Sequence, residues 1–451
     1  LASSGLWPGQ KKDPFEQRGF GLAEQDISVS LGGEKMKKFL MVALVLGLVF
    51  SMAQVTVADE RVTFNGHTRI RAYYIDKDDG VDDDNLEKYT DFRFRLGTVI
   101  NVAEGITANL RLDYNDNSKW GLDTGNEGRT EGDKEMTVER AFIRIEKDMF
   151  IFQGGQIFQG FGHFTAYTPQ GVGFATRLKL PVQLDINYFK ISEGNTIEDE
   201  DDADKDHNMY SLQATYKADT FNIGGYYATE IDDSATDAVD DGDFENKNVI
   251  GLWGDAKLGP VAIKAALDMF SGTRDEAVDY MGTQMWLNGG MEIVENFTLG
   301  ADIWYAMAAD DDGSEEQIIR IADTLADAPC DKHMAAQFLG KFSDVLNVLD
   351  NGFPTPYEMD PNAGVMAFDV YGLFDATEDL SFGASVGYWL PQDDDVGINN
   401  WENSLVFQGS VLWSFAPKCD LFGAFYHRTD NVEDEDVDAE LGMAAALKIS
   451  W

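Results

Sequence analysis

The sequence predicts an all-β chain, a transmembrane antiparallel β-barrel of about 18 strands, with about 16 as the alternative count. Three observations predict it. Segments of about ten residues alternate between apolar and polar side chains, the period of a strand with two unlike faces. Tight turns and long, mostly acidic connections follow one another along the chain. Strands running into the long connections end in aromatic pairs, as expected where a strand crosses a membrane interface.

The alternation is clearest in the last residues. Leu441, Met443, Ala445, Leu447, Ile449 and Trp451 fall on one side, and Glu440, Gly442, Ala444, Ala446, Lys448 and Ser450 on the other. Such an apolar face needs either a core or lipid, and the rest of the chain favours lipid. The chain has 451 residues with Asp+Glu 80 against Lys+Arg 35, a formal net charge of -45. An acidic excess of this size argues against binding nucleic acid through the general surface. Cys330 and Cys419 are too few for a disulfide-built scaffold, although one bridge is allowed.

From the beginning of the chain, residues 1–35 read as upstream translation that needs no fold. Met36–Phe50 has a basic start at Lys37 and Lys38 and then an uncharged apolar run, the pattern of an export signal. The signal is expected over 36–58, with cleavage after Ala53 or Ala58, and the barrel over 59–451. After Ala58 no apolar run reaches the roughly 18 residues a transmembrane helix needs.

Arg61–Tyr74 alternates at once, with Val62, Phe64, Ile70 and Ala72 opposite His67, Arg69 and Arg71. Tyr89–Asn101 sets Phe92, Phe94 and Leu96 against Asp91, Arg93 and Arg95, and Ile106–Asn115 sets Leu110 and Leu112 against Arg111 and Asp113. A tight turn at Val102–Gly105 joins these two. Others are expected at Glu146–Met149, Leu180–Val182, Lys217–Thr220, Lys257–Pro260, Val294–Phe297, Ala376–Asp379 and Ala416–Lys418. Long connections fall near 76–88, 116–133, 160–169, 192–207, 231–243, 271–279, 308–362, 391–400 and 429–435. The aromatic pairs Tyr73-Tyr74, Tyr188-Phe189, Tyr226-Tyr227, Trp304-Tyr305, Tyr388-Trp389 and Phe425-Tyr426 all precede long connections and read as an interfacial girdle.

A barrel of this size encloses water, so inward charges are expected to be solvated. The inward basic candidates are His67, Arg69, Arg71, Arg93, Arg95, Arg111, Arg177 and Lys179; the acidic ones are Asp113, Asp185, Asp268, Asp302 and Asp369. Closure sets the Arg-rich early strands across from the later acids, giving a transverse field. Pairing of these charges with wall neighbours stays open as the alternative. Arg140 and Arg144 share a face of the fourth strand, where alternation is poorer.

Two connections stand out. The segment 308–362 is far longer than the rest, and Ser314–Ala326 and His333–Leu349 read as amphipathic helices within it. It either decorates the outside, occupies the mouth or lumen, or touches a neighbouring subunit. Gln159–Gly171 is rich in glycine and aromatics and free of acids, the mark of a loop packed against something. Phe161, His163, Phe164 and Tyr167 are its candidate constriction residues, at a length that tucks partly inward, with His163 a packing or hydrogen-bonding residue rather than a metal ligand. The acid runs Glu198–Asp202, Asp240–Asp243, Asp310–Asp312 and Glu433–Asp438 lack the spacing of a calcium loop and read as solvated negative surface. No cofactor is expected; weak Ca²⁺ or Mg²⁺ binding at these loops is the second reading.

An enzyme is not expected. His67 lies on a strand, His163, His207 and His333 in loops and His427 at a loop edge, none with a serine or acid at telling spacing. HExxH, CxxC, CxxCH, Walker and GxGxxG arrangements are absent from the sequence.

Over Arg61–Trp451 the chain resembles a bacterial outer-membrane porin. Trp120-Gly121, Glu139–Arg144 and Gly155-Gln156 resemble the early strands of the trimeric porins of sulfate-reducing and related proteobacteria. The resemblance implies passive diffusion of small hydrophilic solutes and a homotrimer in outer-membrane lipid; under the second reading of the acid runs, Ca²⁺ or Mg²⁺ would bridge them to lipopolysaccharide. It also implies that the barrel-assembly machinery reads the closing strand through Trp451, where phenylalanine is commoner. A substrate-selective channel for sugars, acidic polysaccharide or carboxylates is the first alternative, and a structural or adhesive envelope barrel the second. The insertion at 308–362 and the short third loop depart from the family pattern.

Overall fold

The computed structural model describes residues 61–76, 86–114, 119–120, 136–163, 165–167, 172–192, 206–232, 245–273, 279–307, 315–317, 364–392, 401–432 and 439–451. The expected leader, signal, acid runs, most of the long insertion, Cys330, His333 and Phe164 lie outside these residues. Cys419 is a free thiol.

The wall consists of 18 antiparallel strands. They are β1 (Val62–Asp76), β2 (Leu86–Ala103), β3 (Ile106–Tyr114), β4 (Met136–Glu146), β5 (Phe150–Gln156), β6 (Val172–Leu178), β7 (Val182–Ser192), β8 (His207–Lys217) and β9 (Phe221–Asp232). The second half has β10 (Glu245–Leu258), β11 (Val261–Thr273), β12 (Asp279–Val294), β13 (Phe297–Ala306), β14 (Val365–Asp375), β15 (Leu380–Leu390), β16 (Trp401–Ala416), β17 (Cys419–Val432) and β18 (Glu440–Ser450). Each strand pairs with its neighbour in sequence, and β18 pairs with β1 in unbroken register from His67↔Ser450 to Asp76↔Leu441. The seam ends where the Trp451 amide donates to the Gly66 carbonyl (3.1 Å), its ring packed on Phe94 at a centroid distance of 5.5 Å.

All eight tight connections fall at the expected places. Two of them place non-glycine residues in the left-handed region, Asn296 (φ 70) and Lys418 (φ 62), which holds the reversal to two residues. The period of two holds in the packing. Ile70, Ile143, Ile186, Leu212, Leu252, Leu287, Val370, Phe407 and Met443 are exposed on the outside, and their alternating neighbours face inward. A continuous apolar exterior on a closed sheet needs lipid, because water would be met by far more apolar surface than a soluble protein shows. Among the described residues no helix is long and apolar enough to cross a membrane.

Four expectations are corrected. The aromatic pairs cannot all belong to a girdle: adjacent residues face opposite ways, so Tyr227, Tyr388 and Phe425 point out, while Tyr73, Phe189, Tyr226, Trp304, Trp389 and Tyr426 are buried inside. The poor alternation of β4 is a β-bulge. Arg111 and Leu112 pair with Arg140 and Val138, skipping Glu139, so Glu139 and Arg140 both face inward. Glu315–Gln317, the start of the first expected helix, is a short strand paired in parallel with Asp279–Met281. His207, expected in a loop, opens β8 and bonds Glu230 and Asp232 at the ends of β9.

Strands β5 and β6 have 7 residues each, against 14 for β10 and 16 for β12. At about 3.3 Å per residue the wall there is about half the height of the wall at β10 and β12. The chain between them leaves the sheet low and turns inward.

Candidate functional site

The barrel interior is built from the inward positions of all 18 strands together with the segment that joins β5 to β6. Gly155, at the end of β5, adopts φ 129, and a Cβ there would stand 2.3 Å from the Ala141 carbonyl oxygen. Only glycine fits this bend off the wall. Gln159–Phe161 and Thr165–Tyr167 then form a two-stranded hairpin, Gln159 paired with Tyr167. At its tip Gly162 takes φ 58, with the Tyr226 and Trp253 rings about 3 Å from where a Cβ would lie.

The hairpin packs on the inner face. Ile157 and Phe161 are buried with Ala175, Phe189, Met209, Tyr226, Ala228, Val249 and Phe270. The Phe161 and Tyr226 rings stack at 5.8 Å. His163 meets Trp253 and Trp286 edge-on at 5.2 and 5.6 Å, and its Nε2 lies 2.9 Å from Asp255 Oδ1. Asp255 is three residues from the tight-turn end of β10 at Leu258, so a segment entering from the long-loop side reaches deep into the barrel. At the root, Arg140 lies over the Phe158 ring at 4.6 Å. A cavity of about 30 Å³ under it is lined by Arg144, Gln153, Gln159, Thr176, Arg177 and Asp185.

The basic candidates of the early strands all face inward, but they are not solvated singly. Arg71, fully buried, meets Asp91 with two 2.8 Å bonds from Nε and a 2.5 Å contact from Nη2. Arg93 and Arg95 both donate to Asp113 Oδ2, at 3.0 and 2.6 Å. Arg95 and Arg111 share Glu139. Arg177 donates to Asp185 (2.6 Å), while Lys179 and Arg144 converge on Glu146 at 2.8 and 2.7 Å. Burial at low dielectric makes such pairing obligatory. The expected transverse field is therefore largely cancelled on the wall itself, although Lys448, Arg69 and Arg93 stand directly opposite one another across β18, β1 and β2, beside His67. Arg111, Arg144, Arg177 and Lys179 are partly exposed, their side chains between a quarter and two-fifths accessible.

The later sector is different. Asp268, Asp302 and Asp369 are buried, not solvated, and their bonded neighbours are neutral. Asp302 accepts from Trp286 Nε1 (3.0 Å) and Asn288 Nδ2 (2.8 Å), Asn288 also reaches the Tyr371 hydroxyl (3.0 Å), and Asp268 accepts from Gln284 (3.2 Å). Trp304 and Trp389, also buried, flank them. Sequence reasoning set Asp91 on the inward face without its partner, and missed Glu139, Glu146, Trp253, Trp286 and Asn288. The inward period could have found the two tryptophans, but the acid partners needed the register. Among the described residues no three of His, Cys, Asp and Glu converge as a metal cluster.

No protein-family model and no curated protein matches the sequence. Solved structures do. A BenF-like porin from Pseudomonas fluorescens Pf-5 is similar with a TM-score of 0.55 at 11% identity, covering 87% of this chain and 99% of its own. OccAB2 of Acinetobacter baumannii (TM-score 0.51, 10% identity) and OccK8 (OprE) of Pseudomonas aeruginosa (TM-score 0.51, 12% identity) each cover 86% of this chain and 98% of their own. At these identities the likeness is one of fold: the chain is a transmembrane antiparallel β-barrel of outer-membrane type, closed by 18 strands.

Proposed function

We propose that this barrel is an outer-membrane porin through which small hydrophilic solutes diffuse passively. The observation that carries the reading is the reversal of polarity across one closed wall: outward positions are apolar, while inward ones carry paired arginines, carboxylates, amides and hydroxyls. A polar lumen surrounded by lipid conducts what dissolves in water. Under this reading the Gln159–Tyr167 hairpin, with Phe161 and His163, narrows the lumen. A homotrimer related to the porins of sulfate-reducing proteobacteria, insertion by the barrel-assembly machinery, and divalent cations between the acidic loops and lipopolysaccharide belong to the same proposal.

A selective channel for small carboxylates is the second reading. The row Lys448, Arg69 and Arg93 supports it: three cations stand directly opposite one another, with Asp420 opposite Lys448 and Asp113 bonded to Arg93, so the inner wall keeps a local excess of positive charge.

Planar-bilayer recording separates the two. Replacing Gln159–Tyr167 with a Gly-Ser linker is expected to raise single-channel conductance at least twofold (an order-of-magnitude expectation for removing a constriction). Unchanged conductance would remove the hairpin from the pathway, and no channel current from correctly folded protein would sink the porin reading. In the same assay, serine at Arg93 and Arg95 abolishes saturable block by a small carboxylate if the channel is selective, and leaves the trace unaltered if it is not.

A further inference from the structure

Asp302 on β13 and Asp369 on β14 are directly opposite in register, both inward, and 1% and 5% exposed. Directly opposed side chains in an antiparallel pair have Cβ atoms about 5 Å apart, and like charges there repel. Asn288 faces Asp302 from the other side, on β12, and Gly387 faces Asp369 on β15, so the row continues without a side chain. A Cβ at Gly387 would stand 2.2 Å from Asp369 Oδ1, which fixes this carboxylate against the wall.

Asp302 is satisfied on one side only, and the neutral indole of Trp389 is the neighbour of Asp369. Trp286 and Asn288 both hold Asp302 Oδ1 from the β12 side, which turns Oδ2 towards β14. Asp302 Oδ2 and Asp369 Oδ2 are buried and accept no hydrogen bond. The nearest cation in the row is Lys264, one strand beyond Asn288 and three strands from Asp369. Two buried carboxylates directly opposed in register, each with an oxygen that accepts no hydrogen bond, form the arrangement that a hard cation completes. Oxygen ligands select Mg²⁺ or Ca²⁺ over softer metals, and an ion held by two carboxylates keeps water in its other positions. We propose that Asp302 and Asp369 bind one hydrated divalent cation on the inner wall, bridging β13 and β14. Asn288 and Trp286 act as positioning residues that orient Asp302. The site is separate from the acidic loops and does not depend on what the barrel conducts.

Terbium tests this directly, because Trp286 bonds a proposed ligand and Tb³⁺ luminescence is sensitised by nearby indoles. Folded wild-type protein in detergent is expected to give saturable, tryptophan-excited Tb³⁺ emission that Ca²⁺ displaces. Asp302→Asn and Asp369→Asn should each lose most of it while keeping the gel mobility of the folded barrel. Emission retained in both variants would assign the signal to surface acids and overturn the proposal. Should the variants fail to fold, the wild type alone decides: neither sensitised emission nor a rise in melting temperature on exchanging EDTA for Ca²⁺ means the pair holds no divalent ion.

Discussion

Arg71 and Asp91 show how single residues settle the character of the interior. Both are buried, and the guanidinium meets the carboxylate through two nitrogens. Such a pair adds little over an apolar pair of the same volume, yet removing one member is costly. Asp91→Ala is therefore expected to destabilise the barrel by about 3 kcal/mol, and the Arg71→Leu, Asp91→Leu double variant to recover most of that. Urea unfolding in lipid vesicles measures both; a single variant within about 0.5 kcal/mol of wild type would show that the pair is not buried in the membrane-embedded protein. The period of two sets Arg71, Arg93, Arg95 and Arg111 on one face of their strands, opposite the exposed apolar positions. It could not supply their partners, because Asp91 meets Arg71 through a register set across residues 77–85, and Glu139 joins Arg95 and Arg111 through a bulge that breaks the period. Charges that looked solvated singly are paired for that reason.

At the scale of elements, turns were legible and depths were not. Short polar connections such as Lys217–Thr220 and Lys257–Pro260 can only reverse a strand, which is why the strand count follows from them. The loop after β5 was recognisable by its missing acids, but its reach depends on β5 and β6 being 7 residues long, and Gly154-Gly155 gave no sign of where the wall stops. The strand at Glu315–Gln317 has a similar cause: these three residues found an open edge at the start of β12, and tertiary pairing overrode the local helical pattern there. The closing strand carries the element-scale prediction. Lys448, Ile449 and Ser450 pair with Arg69, Thr68 and His67, and Trp451 covers Gly66 and Phe94. Truncating Lys448–Trp451 should reduce the folded, heat-modifiable band on cold gels several-fold (roughly 1 kcal/mol or more of assembly preference). The reversal potential of channels that do form should stay unaltered. Normal folded yield would show that these residues are dispensable to closure.

For the whole molecule, the wall closes without the longest connection. β13 and β14 pair directly from Phe297↔Phe374 to Ala306↔Val365, so no residue between 318 and 363 is needed to join them. Deleting 318–350 is expected to leave the folded band intact; loss of folding would make that segment a plug or a subunit contact. The seam between β1 and β18 has a consequence for the order of assembly. Every other neighbouring pair joins consecutive strands and can zip as a hairpin, whereas the seam joins the two ends of the sheet. Closing so long a loop adds only about 0.6 kcal/mol per doubling of length, so its thermodynamic burden is slight. Its kinetic burden is not: until the last latch catches, the sheet has two raw edges, each able to capture another chain. How long the nascent barrel stays unlatched, more than how stable it is once closed, sets its exposure to aggregation.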